Sequence, residues 1–263
     1  MSDPNTADFQ PPPPPSQPPA TEGPQMSTAQ TLTSIYFEPG ATFEALRTRP
    51  RFLVAGIITV LAFMAYYSVF VWRVGSENIA RAQIEARSPD ASPEQIDQGV
   101  RMQNNPIIKA VTYAVFPIFF AVIFAAGGGL YLLGAMLMGK SLSYKQAVSV
   151  WVYSSYPPTI VYGVLNVVLL FLKSADEIDA TALNTGIARA NPSILVDTKA
   201  SPVLGTILGS FDLIAFYGLF LGAIGLRKVA KLSSGAAWSI VLAIWLLGVI
   251  LRIVMSLIFG QAY

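Results

Sequence analysis

The stretch Ala110 to Met138, AVTYAVFPIFFAVIFAAGGGLYLLGAMLM, contains no charged residue. An α-helix rises about 1.5 Å per residue and needs about 20 apolar residues to cross the ~30 Å hydrocarbon layer, so this stretch alone predicts a membrane span. Four further runs repeat the pattern around it: Phe52 to Val71, Ala147 to Leu172, Val203 to Leu226 and Ala236 to Phe259. Within all five, only Asp212 and Arg252 carry charge. The expected fold is all-α, a polytopic membrane protein with five transmembrane helices.

Composition agrees, because 53% hydrophobic and 12% charged residues would leave a soluble domain short of polar surface. A net charge of +2 gives no reason to expect nucleic-acid binding. The chain has no Cys and no His, which removes disulfides, thiol nucleophiles, imidazole bases and the commonest zinc ligands. No residue is assigned a catalytic, cofactor-binding or metal-binding role. The first apolar run begins behind a polar, Pro-rich leader, so the first span is expected to stay as an uncleaved anchor.

Residues 1–30 hold nine of the nineteen prolines, including Pro11 to Pro15, and are expected to form a disordered cytosolic tail with local polyproline II character. Residues 31–51 follow as an interfacial amphipathic segment. Leu32, Ile35 and Tyr36, then Phe43 and Leu46, fall at helical spacings around a break at Glu38, Pro39 and Gly40. Arg47, Arg49 and Arg51 close it against the first span, which suits either an anionic membrane surface or a simple orientation signal. Residues 52–263 form the transmembrane domain.

Orientation follows from where the basic residues sit. With the amino terminus inside, the short inner loops carry Lys140 and Lys145, then Arg227, Lys228 and Lys231, with no acid. The longer outer loops dilute eight basic residues with nine acidic ones. The expected topology is amino terminus cytosolic and carboxyl terminus outside. In the outer loops, Ser76 to Arg87 reads as a helix, Ser92-Pro93-Glu94-Gln95 as a capped helix start, and Asp176 to Ala190 as a third helix closed by Asn191 and Pro192.

Gly134, Gly139, Lys140 and Ser141 satisfy G-x-x-x-x-G-K-[ST], but the residues between the glycines continue an apolar helix where a phosphate-binding loop needs a preceding strand. Gly139 is read as a helix terminator. Gly205 with Gly209, and Gly218 with Gly222, are spaced for close helix packing. Asp212 and Arg252 both lie ~10 Å deep from the same side, about seven residues from their helix ends. They form a candidate intramembrane charge pair; independent snorkelling and a solute or proton pathway stay open beside direct contact.

The order and spacing of several elements resemble the Yip domain family, five-span proteins named for interaction with Ypt/Rab GTPases, in its bacterial branch. The likeness is carried by Pro39, Thr42, Phe43 and Leu46, by Gly129 to Gly134 leading to Gly139 and Lys140, and by Tyr144, Ala147, Trp151, Tyr153 and Pro157. It continues through Asp212, Gly225, Leu226, Ala230, Lys231, Leu232, Ser233, Gly235 and Ala237. The resemblance implies a cytosolic amino terminus and a bacterial cytoplasmic membrane location. The eukaryotic Asp-Leu-Tyr-Gly-Pro and Gly-Tyr-Gly signatures are absent, so it does not extend to GTPase binding. The expected role is a non-enzymatic protein that organises membrane or recruits protein partners through its Pro-rich and amphipathic segments. The alternative is a small transporter or lipid-moving protein with a polar site near Asp212 and Arg252.

Overall fold

The computed structural model describes residues 25–262. Most of the Pro-rich tail expected at 1–30 falls outside the described residues. Among the described residues the elements are helical, with no strand: α1 (Thr28–Ser34), α2 (Pro39–Thr48), α3 (Leu53–Val74), α4 (Ser76–Arg87), α5 (Pro93–Gln103), α6 (Pro106–Leu137), α7 (Tyr144–Leu172), α8 (Ala182–Thr185), α9 (Pro202–Gly209), α10 (Leu213–Val229) and α11 (Ser234–Phe259). Four of these, α3, α6, α7 and α11, are long and apolar enough to cross a membrane, and α9 with α10 supplies a fifth if the bent pair is one span. The molecule is a polytopic integral membrane protein.

The fourth span departs from the single run read in the sequence, since its two helices meet at 45°. The cause is local. Ser210 Oγ donates back to the Thr206 carbonyl at 2.8 Å, ending α9, and Asp212 Oδ1 accepts from the Ile214 and Ala215 amides at 2.9 and 3.1 Å, starting α10 afresh.

α7 is the central helix and packs against α3, α6 and α10. Its Pro157 and Pro158 cannot donate backbone hydrogen bonds, and α10 comes close beside them: a Cβ at Gly218 would sit 3.3 Å from Pro158 and 3.4 Å from the Ser154 carbonyl. At Gly222 a Cβ would run into the Tyr131 hydroxyl, so α6 and α10 also need a glycine between them. An apolar groove of about 590 Å3 lined by Leu53, Ile57, Met64, Pro117 and Phe124 opens between α3 and α6.

The segment at 31–51 turns its apolar face to protein. Ile35, Phe43 and Leu46 are fully or almost fully buried in the core built by α7, α10 and α11. Thr31 Oγ1 meets the Tyr153 hydroxyl at 2.8 Å, and Gln146 at the start of α7 donates to the Arg47 carbonyl at 2.7 Å. Glu44 accepts from Arg47 and reaches Lys231 at 3.1 Å. Lys231 holds a left-handed backbone, φ 53°, in the α10–α11 turn, a conformation uncommon outside glycine.

Partial burial alone would raise the Glu44 carboxyl, but hydrogen bonds and charge from Lys231 and Arg47 outweigh it and hold the group below its ordinary value. A depressed folded pKa means that the contribution is complete above the ordinary glutamate value near ~4.3 and lost as pH falls through the lower folded value. The thermal midpoint of the wild type should therefore drop more between pH 7 and pH 3.5 than that of Glu44→Gln. For a network this exposed the difference should correspond to about 0.2 to 1 kcal/mol, and equal acid sensitivity of the two proteins would refute it.

At the opposite end a smaller core joins Tyr66, Phe70 and Val74 of α3 to Ile79, Leu170, Ile178 and Ala182. α4 and α5 form a hairpin tied by Arg81 to Asp97 at 2.7 Å, and Ser92 with Gln95 makes the capping box read in the sequence. The helix expected over Asp176 to Ala190 is not formed. Residues 175–177 and Pro192–Leu195 are single 3-10 turns and α8 is one short turn. Gly186 sits at φ 78° with the Tyr162 ring where a Cβ would go, and the Ile187 and Ala188 amides are taken by Asn166.

Candidate functional site

Asn166 decides the geometry of the far end. It is a fully buried amide on α7, in a run otherwise almost wholly apolar, and a buried amide needs partners. Its Oδ1 accepts from Ile187 and Ala188 at 2.7 and 2.9 Å, and its Nδ2 donates to the Tyr162 carbonyl at 2.9 Å. The loop is thereby fixed to α7, with Arg189 the next residue along it. A second set of bonds fixes it to α10: Leu213 donates its amide to the Ala190 carbonyl at 3.1 Å, and Asn191 Nδ2 donates to Asp212 Oδ2 at 2.9 Å. Asn191 Oδ1 in turn accepts from Ser193 Oγ.

Under this loop lies a cavity of about 210 Å3, lined by Tyr162, Arg189, Asn191, Thr198, Gly209, Asp212 and Arg252 among others. Asp212 and Arg252 line it together. No ion pair joins them among the described residues; Asp212 instead accepts from the α10 amides with one oxygen and from Asn191 with the other. Arg252 shares a helical stripe with Val249 and Ser256, which are buried, and lines the cavity.

The glycines divide. Gly218 and Gly222 lie at close approaches between helices, and Gly205 presses on Thr198 of the neighbouring loop. Gly209 does not serve packing: a Cβ there would meet nothing within 4 Å, because α9 ends at this residue and the cavity lies next to it. Gly225, which extends the Gly218–Gly222 pair, lies at a further close approach, with Val150 2.5 Å and Phe43 2.9 Å from an added Cβ.

The G-x-x-x-x-G-K-S match has no phosphate-loop geometry. Gly134 is inside α6 against Ile240, no strand precedes it among the described residues, and Gly139 takes φ 70° as the stop after α6. Among the described residues no group of three or more acidic side chains could hold a metal ion.

The sequence assigns no site role to Asn166 or Arg189, and it reads Asn191 only as the close of a helix. Only Asn166 carried a usable signal, as a lone amide in a membrane run; Arg189 and Asn191 look like ordinary loop residues until the chain brings them to Asp212.

The Yip1 domain family model matches residues 33–255, from the end of α1 to the last turns of α11. No curated protein and no solved structure matches the chain. The chain belongs to the Yip1 domain family.

Proposed function

We propose that this is a non-enzymatic protein that organises membrane or recruits protein partners, holding its amino-terminal segment as a fixed platform on the cytosolic end of the bundle. The observation that carries this reading is the filled interior. From Phe43 and Leu46 through Val150, Tyr153, Leu221 and Leu226 to Val241, side chains are almost completely buried against one another, and the polar cavity is confined to the opposite end. A path for a solute would need continuity that this packing does not offer. The platform also gathers basic residues: Arg49, Lys140 and Lys145 are exposed beside α2 and the α6–α7 turn, with Arg227 and Lys231 at the α10–α11 turn. Such a face suits acidic partners or the anionic lipids of a bacterial cytoplasmic membrane.

The test is crosslinking and affinity purification from native membranes, comparing the full chain with one lacking residues 1–24, a cut that leaves α1 and its Ser27 cap intact. Partners captured reproducibly by the full chain and altered by the cut support recruitment. A solute flux in proteoliposomes abolished by Asp212→Ala would overturn it. The second reading, a small transporter or lipid-moving protein, draws on one feature, the broken fourth span beside a polar cavity, an arrangement that discontinuous helices use to meet a solute.

The same reading places the α1–α2 end inside. Ser92 and Ser233 are helix caps, so labelling cysteines belong instead at Asp90, Ser141 and Gly235, which are exposed. With no native thiol to interfere, an impermeant reagent on intact cells should reach Asp90→Cys only. Labelling of Ser141→Cys and Gly235→Cys in its place would invert the topology.

A further inference from the structure

Among the described residues the far-end cavity holds an imbalance of charge. Arg189 and Arg252 both line it, against the single carboxylate of Asp212, an excess of one positive charge in a space of about 210 Å3. Neither guanidinium makes a hydrogen bond or ion pair among the described residues, and the Thr198 hydroxyl beside them also has no partner there. Asp212 carries one negative charge against two guanidinium groups, and three of the hydrogen bonds it accepts already come from the α10 amides and Asn191. An unpaired guanidinium within a span, such as that of Arg252, is costly, and the planar donor fork of an arginine matches the geometry of an oxyanion. The loop that presents Arg189 is also fixed in advance, by Asn166 on one side and by Ala190 and Asn191 on the other, so little ordering would accompany binding.

We propose that this cavity binds a phosphate-type oxyanion between Arg189 and Arg252, with the Thr198 hydroxyl as a further donor. The anion is either a soluble phosphate or the phosphate of a lipid headgroup entering from the far leaflet, and both present the same charge and the same acceptor oxygens to the two arginines. Gly209 is the floor of the site, an α9 residue without a side chain where one would fit. This assignment goes beyond the proposed platform function and does not depend on it.

The test uses the full chain purified in neutral detergent, with unfolding followed by the fluorescence of its four Trp. Inorganic phosphate titrated at constant ionic strength should raise the unfolding midpoint saturably by a few degrees if the ligand is soluble. In a second arm, short-chain phosphatidylglycerol should raise it above an equal concentration of phosphatidylcholine if the ligand is a headgroup. Either response should disappear in Arg189→Gln and in Gly209→Leu. The two variants reach the site by different routes, one removing a charge from a loop and the other filling the space from a helix end, and both leave the Asp212 cap untouched. Absence of a shift with both probes overturns the proposal, as does a shift that survives in either variant.

Discussion

Phe43→Ala should destabilise the detergent-solubilised protein by about 3 to 5 kcal/mol, the range for removing a buried aromatic ring from a packed core. The ring is fully buried and lies where α2, α7 and α10 meet, with Val150 on one side and Gly225 offering its bare backbone on the other. No neighbour is placed to collapse into the space, because Leu46, Leu226 and Val150 are themselves buried against other helices. The loss should be accompanied by release of α2, read as faster labelling of a cysteine at Ala45, which is buried in the folded protein. Phe37→Ala is the control: that ring is 86% exposed, and its removal should leave the midpoint within about 0.5 kcal/mol of wild type. A cost below about 1 kcal/mol at Phe43 would mean that α2 contributes little to the bundle, and the platform reading would fail with it.

How far the sequence carried this reading differs from residue to residue. Four spans, α4 and the capped start of α5 follow from composition and caps, since a run without charge or a Ser-Pro-Glu-Gln start has few alternatives. The amphipathic spacing of Leu32, Ile35, Phe43 and Leu46 was legible as well, but periodicity reports that a face is apolar and is silent on whether lipid or protein covers it. Here Gly225 leaves room for Phe43, and protein covers the face. The break at Asp212 was hidden for a related reason: an isolated carboxylate in an apolar run looks like a charge seeking a countercharge, and its service as a helix cap depends on backbone groups that hydropathy does not see. In the loop at 176–190, Asn166, distant in sequence, takes the Ile187 and Ala188 amides that a helix reaching Ala190 would have used. In both places the deciding partner of a polar side chain was a backbone amide, near in sequence for Asp212 and distant for Asn166, and hydropathy registers neither.

Asp212→Ala should cost about 1 to 3 kcal/mol, combining the loss of a helix cap with part-buried donors left without an acceptor. It strips the Ile214 and Ala215 amides and the Asn191 side chain of the same partner at once, leaving only water that enters the cavity to replace it. Asp212→Asn separates the cap from the charge. An asparagine caps about as well as an aspartate, so the start of α10 should survive, whereas its amide would meet the Asn191 amide donor to donor unless one of them turned over. That variant should lose about 1 kcal/mol, and it is the one to combine with Arg252→Gln. We propose that the two charges act on each other across the shared cavity, without the direct contact a salt bridge would require. Their coupling in a double-mutant cycle should then be modest, about 0.5 to 1 kcal/mol, and should shrink further at high salt, which penetrates a wet cavity more readily than a dry contact. Additivity within about 0.3 kcal/mol would make the charges independent and return Arg252 to snorkelling. A coupling of about 3 kcal/mol would instead mark a closed ion pair formed in the membrane.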